Sequence, residues 1–505
     1  MTRAETETEA SRLVQSRRVI AAVATLLLLT ALLRLPGITR PLVGNFATKN
    51  AVYAMIARNW AAGRADLWHP TVDVMVGGKR GWQMKEFPVA VYLTAWLWDN
   101  LGGSLDVWGR AQALAFSVGS VLLAFFFVRR RHGTVAATAA SLALALSPVS
   151  IIYGQSFLLQ ASLVFFTIGT FYCLDRWLGA GHTVWLVLAA ISLALLLLTK
   201  IYMIVLLLPL GCEILRSVMR RPEKDANGQE RVSGAADPGL RNRQLAAAAA
   251  LALAIIPAMA WYARAYRIEA PKAPNAHRVF FSVRRSTSDH RPPHPLLFRA
   301  DFYRQVLDDL TGVVLTPIGF VLLLAGFLNR HRRRYIPWLL SMAVLVVLLP
   351  RKFYEMNYYM MAVLPPLCIL IGLGWQVIYE RLKPGRLPIA CLLLAAVLLS
   401  LRYSVRPAFV TPEEDRGVVA AGRAIQQLTA EEEPVVTMHG TTIDLLYYCN
   451  RPGWAIDPAS PALDQYARQG ARYLVIVGSK ESFGLTRVKE GNNFCVYELP
   501  PAGLR

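Results

Sequence analysis

Apolar residues along this chain fall into long runs separated by short polar, mostly basic, stretches. The runs lie near residues 19–35, 107–128, 134–152, 157–174, 182–199, 201–215, 244–262, 312–328, 335–349, 358–379 and 387–402. A bilayer core about 30 Å thick needs roughly 20 apolar residues per helix. The pattern therefore predicts an all-α polytopic membrane protein with about eleven transmembrane helices. The segment 89–101 is apolar too, but short for a span. Beyond about residue 403 the period changes. Residues 434–438, 473–477 and 494–499 read as strands, with helical patterns at 413–428 and 461–469. That alternation predicts a small C-terminal α/β domain.

Composition and charge assign sides to the loops. The chain has 505 residues, 55% of them hydrophobic, and a net charge of +21. Its mean hydropathy is +0.37. In a soluble protein such a charge would suggest nucleic acid as a partner. Here the cations sit between apolar runs and read as a positive-inside signal, so no nucleic acid is expected. If 89–101 does not cross, then Arg129 to Arg131, the basic stretch 216–243, Arg330 with Arg332 to Arg334, and Arg381, Lys383 and Arg386 share one side with the N-terminus. If it crosses, the N-terminus disagrees with every later loop. Residues 89–101 are therefore read as an interfacial helix on the outer surface. The run 19–35 competes with a signal peptide, but it is long and ends without a small-residue cleavage site, which favours a retained helix.

The expected organisation is a cytoplasmic tail at 1–18, a membrane domain at 19–402, and an extracytoplasmic α/β domain at 403–505, in the inner (plasma) membrane. The outer face carries loops 36–106 and 263–311, short turns at 153–155, Lys200 and 351–357, and the tail. One feature runs against the charge rule. The outer loop from Arg264 to Arg304 is itself basic, although long loops obey the rule poorly.

The candidate chemistry lies on this outer face. Loop 36–106 carries Trp60, Trp68 and Trp82, suited to a membrane–water boundary, and looks poised over the membrane. Lys200 sits between two apolar runs. It is either a lysine snorkelling to headgroups or a phosphate ligand at the membrane edge. Arg351, Lys352, Tyr354 and Tyr358 mix cations with phenol donors, which suits a lipid-linked phosphate, or else form an aromatic belt. Glu86 stands where the first loop returns to the surface. It is either a general base for sugar transfer or a solvent-facing glutamate paired with Lys85 or Arg80. Asp66, Asp73, Asp99, Asp106, Asp289, Asp301 and Glu355 are the other outer carboxylates, and spacing selects none of them. His290 and His294 flank two prolines that forbid a helix, so no metal site is expected there. No cofactor is expected, with a divalent metal left open.

Several short motifs point the same way. Ala57-Arg58-Asn59-Trp60 lies in the first outer loop, and Glu86-Phe87-Pro88 is followed by Gly109-Arg110. Ser147-Pro148 precedes the second outer turn, Thr199-Lys200 ends an apolar helix, Trp261-Tyr262 precedes the next large outer loop, and Tyr358-Tyr359 precedes Leu364-Pro365-Pro366. In order and sidedness over about residues 15–402, the chain resembles the integral-membrane glycosyltransferases of family 39, the dolichyl-phosphate-mannose–protein mannosyltransferases and their aminoarabinose transferase relatives. The late tail, with Arg451-Pro452-Gly453-Trp454, looks like the extra domain of some bacterial members. The resemblance implies a GT-C-like fold, a polyprenyl-phosphate-linked sugar as donor, and inverting transfer on the extracytoplasmic face to a lipid, glycan or protein acceptor. On a transferase reading of the residues, Glu86 is the candidate base, Lys200, Arg351, Lys352, Tyr354 and Tyr358 would lie around the donor phosphate, and Lys49, Asn50 and Arg58 would be first-loop contacts. The family's acid lies just before the helix holding Ala57, and a second follows the second outer turn. Here 45–50 and 155–160 carry no carboxylate. A non-catalytic relative that binds or presents lipid-linked sugar is therefore an alternative, and a lipid or sugar transporter is another. Finally, Cys449 and Cys495 in the tail are either disulfide-bonded, closing a loop and pinning the last strand, or small buried apolar residues.

Overall fold

The computed structural model of the chain describes residues 3–44, 46–218, 238–282, 294–382, 386–457, 463–479, 481 and 483–500. Asn45, Asp289, His290, Lys383 and most of the basic stretch 216–243 lie outside the described residues. The helices and strands, in chain order, are α1 (Arg3–Leu32), α2 (Ala47–Ala61), β1 (Thr71–Val76), β2 (Lys79–Met84), α3 (Val89–Leu101), α4 (Leu105–Leu146), α5 (Pro148–Tyr153), α6 (Gln160–Ala180), α7 (Thr183–Thr199), α8 (Leu207–Val218) and α9 (Pro238–Ile268). After these come β3 (Val279–Ser282), α10 (Ala300–Asp308), α11 (Thr316–Gly326), α12 (Ile336–Leu348), α13 (Pro350–Glu355), α14 (Leu364–Arg381) and α15 (Arg386–Ser404). The tail holds α16 (Val418–Gln426), β4 (Val435–Met438), α17 (Asp444–Cys449), β5 (Gly453–Ala455), α18 (Leu463–Ala467), β6 (Tyr473–Val477), β7 (Thr486–Gly491) and β8 (Phe494–Glu498).

Each apolar run of the sequence lies in helix, but the runs are not equal. Among the described residues four helical segments are long and apolar enough to cross a membrane: Ser16–Gly37, Leu105–Leu146, Gly239–Ile268 and Leu387–Ser404. A fifth arises if Ala300–Val314 and Thr316–Gly326, bent by 104°, count as one span. The expected eleven thus become helices of different kinds, and several are too short or too interrupted to qualify alone. Two expected runs fuse into α4. Gly133, at φ 84, breaks that helix just after Arg129 to His132, a backbone conformation that costs glycine little. The first half of α4 packs on α1, α3 and α6, and α4 also packs on α14, which makes it the spine of the bundle.

The basic loops meet at one end of this bundle. Arg131 bridges Asp175 at 2.9 Å and Glu213 at 3.0 Å, and Arg334 reaches Glu213 at 2.5 Å. Arg216 donates to the Arg334 carbonyl at 2.6 Å. Three basic segments far apart in sequence are therefore tied together by two carboxylates on α6 and α8.

At the other end the first loop and the tail build one sheet. The strand order is β3-β2-β1-β5-β4-β6-β8-β7. β1 and β2 form an antiparallel hairpin, turned at Gly77-Gly78. Val74 of β1 then pairs in parallel with Gly453 of β5. A Cβ at Gly453 would lie 1.9 Å from the Val435 carbonyl oxygen, so only glycine lets β5 pass β4 this closely. The three strands expected in the tail are present as β4, β6 and β8. The hairpin, β3, β5 and β7 add to them, and the expected helix at 413–428 is confined to α16. Cys449 and Cys495 are both free and buried, in separate apolar clusters, so the disulfide alternative is corrected in favour of the buried-thiol one.

Polar contacts lock the tail onto the first loop. Asp106, in the first turn of α4, accepts hydrogen bonds from the hydroxyls of Tyr447 and Tyr448, each at 2.6 Å. Buried Asp73 accepts from Arg58 at 2.7 Å, Asn59 at 3.0 Å and Arg80 at 3.1 Å. Arg58 also donates to the Tyr447 carbonyl at 2.9 Å. Replacing Asp106 with Ala would leave two phenol hydroxyls short of their acceptor, each charged hydrogen bond being worth about 1.5–3 kcal/mol. The expected outcome is a lower melting temperature in detergent and faster proteolysis near 405–417, with helix content unchanged. An unaltered proteolysis rate would show that the tail is not held there.

Candidate active site

The candidate site forms where α2, the β2–α3 connection and the end of α7 meet. Helix α2 starts from Phe46, a non-glycine residue at φ 56. Its spacing then sets Lys49 and Tyr53 one turn apart on one face. The hairpin delivers Glu86 just before Pro88, which opens α3. Helix α7 stops at Lys200, whose backbone is extended at φ −152 and ψ 101. The Phe87 N–H donates to the Leu198 carbonyl at 3.1 Å, and this bond fixes the two connections side by side.

That backbone contact makes Glu86 and Lys200 partners. The Lys200 ammonium donates to Glu86 Oε1 at 2.5 Å, and Gln83 Nε2 donates to Oε2 at 2.5 Å. Lys49 Nζ lies 3.7 Å from Oε1. All are nearly closed to solvent, with Lys200 at 5% and Glu86 at 2% exposure. Lys85 and Lys352 lie close enough to act on Lys49 through their charge. One carboxylate thus faces a surplus of ammonium groups. The Lys49 nitrogen is buried without a hydrogen-bond partner, 4.5 Å from the centre of the Phe281 ring.

The electrostatics follow from this crowding. Burial opposes ionisation of Glu86, but Lys200, Lys49 and Lys85 outweigh it and hold the carboxyl well below its usual range. Burial pushes the Lys49 ammonium down to about 7, with only partial compensation from Glu86. The phenols of Tyr53, Tyr202, Tyr262, Tyr358 and Tyr359 lie within the field of Glu86. Tyr358 and Tyr359 stack at 4.9 Å, and Tyr202 lies 5.4 Å from Tyr359. Together they place hydroxyl groups around the Glu86–Lys200 pair.

The structure brings together Glu86, Lys200, Lys49, Lys352 and Tyr358 from the sequence-based set. Others point elsewhere. Arg351 pairs with Glu355 at 2.7 Å in an exposed turn, and Tyr354 donates to Asp301 at 3.2 Å. Asn50 is buried and donates to the Phe46 carbonyl at 3.3 Å. Arg58 is spent on Asp73 and the tail. Glu86 is not solvent-facing, and Arg80 goes to Asp73 and Glu432 instead. Sequence reading missed Gln83, Lys85, Tyr53, Tyr202 and Tyr262 as site residues. Lys85 could have been found as Glu86's neighbour, and Tyr262 stood in a quoted motif. It also missed Glu269, which is buried and acts on Lys85 through its charge.

Among the described residues one group, Asp415, His439 and Asp444, has metal-ligand atoms within 4.8 Å of one another. His439 already bridges the two acids, with Nδ1 2.9 Å from Asp444 and Nε2 3.1 Å from Asp415. One ion cannot take both nitrogens of one ring, so the trio reads as a hydrogen-bonded brace of the tail. Burial opposes the imidazolium, yet Asp444 and Asp415 hold its pKa above the ordinary value.

Comparison with known proteins places this geometry. The family model "Dolichyl-phosphate-mannose-protein mannosyltransferase" matches residues 69–270, a stretch that holds Glu86 and Lys200. Over that stretch the chain resembles the proteins of glycosyltransferase family 39, and its fold is of the GT-C type. In solved structures it is similar to ArnT from Cupriavidus metallidurans bound to undecaprenyl phosphate, at 14% identity and a TM-score of 0.58, covering 96% of this chain and 98% of that one. It is also similar to the Archaeoglobus fulgidus oligosaccharyltransferase, at 13% identity and a TM-score of 0.53, covering 90% and 68%. For the arabinofuranosyltransferase AftD from Mycobacteria the values are 15% and 0.51, covering 95% and 40%. No curated protein matches the chain. At these identities the structural likeness speaks for the fold.

The ion pair has a consequence for mutagenesis. Glu86→Gln does not remove basicity alone, because it leaves buried Lys200 and Lys49 without a counter-charge. Breaking a buried pair from one side costs about 3–5 kcal/mol. A clear drop in melting temperature is expected, partly recovered in Glu86→Gln/Lys200→Met. Equal melting temperatures for the single variant and the unmodified protein would refute the pairing.

Proposed function

We propose that this protein is a multi-pass membrane glycosyltransferase that takes its sugar from a polyprenyl-phosphate donor on the extracytoplasmic face of the plasma membrane. One observation carries the reading. The Lys49 ammonium is buried without a hydrogen-bond partner, beside a Glu86–Lys200 pair that is already complete. Such a site is short of one anion, and a phosphate offers the oxygens that would satisfy it. The phenol wall adds neutral donors, and the apolar helices around it suit a lipid tail.

Transfer then needs little covalent chemistry from the protein. The acceptor oxygen forms its bond to the anomeric carbon on the face opposite the phosphate. The carbon–oxygen bond to the polyprenyl phosphate breaks, and the leaving phosphate carries away the electron pair. Lys49, Lys200 and Lys352 stabilise that charge as it develops. Glu86 is a poor base while the lysines hold it. A bound phosphate competes for the same ammonium groups, raises the carboxyl's pKa, and so readies Glu86 to take the acceptor's proton. Donor binding and base activation are thereby one event.

A second reading has its own support. The depressed pKa of Glu86 and the acid-free stretches 45–50 and 155–160 favour a relative that binds lipid-linked sugar without transferring it. Binding and turnover separate the two. Because Lys49 titrates near 7 in the empty site and must be charged to hold phosphate, affinity for a polyprenyl phosphate should fall by about tenfold per pH unit between pH 7.5 and 9. Lys49→Met should bind at least about tenfold more weakly at pH 7.5, with a flat pH profile. A Lys49→Met variant that binds as tightly as the unmodified protein would defeat the donor assignment. Donor binding without any sugar transfer to envelope acceptors, followed by mass spectrometry, would select the non-catalytic reading.

A further inference from the structure

The basic outer loop that runs against the positive-inside rule acquires a purpose in the fold. Between residues 264 and 278 the chain carries Arg264, Arg267, Lys272 and Arg278 against one carboxylate, Glu269. Arg264 and Arg267 fall on the same face at the end of α9, together with Ala260 and Ala263. Facing them is the hairpin of the first loop. Between the two lies a cleft of about 610 Å³, lined by His69, Trp82, Arg264, Arg267, Ile268 and Asn275.

The cations here are positioned rather than merely present. Arg264 donates to the Trp68 carbonyl at 2.8 Å, and its other terminal nitrogen meets His69 Nε2 at 2.9 Å. The opposite ring nitrogen of His69 is held by Asp66 at 2.9 Å. An Asp66–His69–Arg264 chain thus fixes one guanidinium at the wall of the cleft. The His69 and Trp82 rings lie 4.5 Å apart, and the Arg278 guanidinium covers the Trp82 ring at 4.1 Å. Trp68, 56% exposed, stands beside Arg264. Arg267 is exposed. Rigid aromatic faces beside guanidinium groups form a surface for a ring that bears an anion.

The strand relates this cleft to the Glu86 site. Successive residues of a strand face opposite ways. In β2, Trp82 faces the cleft and Gln83 faces Glu86. Trp82 also packs with Trp261 and Phe87, the neighbour of Glu86. The two sites stand back to back across one strand. We propose that the cleft is a binding site for an anionic saccharide, a sugar ring carrying a phosphate or carboxylate group.

The test is binding to the full-length protein in detergent, followed by tryptophan fluorescence, with glucose 1-phosphate, galacturonate, glucose and inorganic phosphate as probes. Both anionic sugars should bind at least about tenfold more tightly than glucose or inorganic phosphate. Arg264→Gln and Arg267→Gln should each weaken them by about tenfold or more, while polyprenyl phosphate affinity stays unchanged. Arg264→Lys, which keeps charge but loses the fork, should recover binding only in part. Binding that survives both arginine changes, or no preference over inorganic phosphate or glucose, would overturn the proposal. Loss of polyprenyl phosphate binding in Lys49→Met with the anionic sugars still bound would show the two sites to be separate. Failure of the donor assignment would leave the cleft result standing.

Discussion

The end of the bundle that carries the first loop depends on a buried ion pair between Glu86 and Lys200, separated by 114 residues and joined at 2.5 Å. Neither charge could be buried alone, because an isolated ion in a low-dielectric site costs several kcal/mol. Each therefore requires the other, and together they require the first loop to close on the end of α7. The Phe87 to Leu198 backbone bond fixes their register. Once that pair exists, Lys49 stands beside it as a buried ammonium nitrogen without a hydrogen-bond partner.

The first loop is thus held from two directions. Toward the membrane it is tied by the ion pair and by Arg110, which donates to the carbonyls of Arg40, Pro41 and Gln155. Away from the membrane it is tied to the tail through Asp73, Asp106 and the strand contact between β1 and β5. A tail joined to the loop by one continuous sheet acts as its backing plate. The C-terminal domain thereby supports the loop that carries Glu86 and Lys49.

Opposite ends of the bundle treat charge differently. At the basic end, arginines of three segments share Asp175 and Glu213, so the cations there are largely matched. At the other end, lysines outnumber the carboxylate they face. Matched charge holds helices together, while unmatched buried charge costs stability and persists where a ligand completes it.

Periodicity by itself determined the helical character of the long apolar runs and the three main strands of the tail, because those signals are local. That basic segments far apart in sequence share one end of the bundle was legible too, since charge clusters are read directly from the chain. The family resemblance rested on short motifs in order, and these located Glu86, Lys200 and Tyr358. What the sequence left open was pairing. It offered Lys200 as a snorkelling lysine or a phosphate ligand and Glu86 as a base or a solvent-facing acid, and only the tertiary structure made them partners. Arg58 looked like a substrate contact and became a strut, since its partner Tyr447 lies 389 residues away. The hairpin at Thr71–Met84 escaped notice because its strands are short and carry charges at Asp73, Lys79 and Arg80, and they are placed by pairing with the tail strand beside them. Such choices are made by contacts between distant segments, where burial turns each charge into a demand for a particular neighbour.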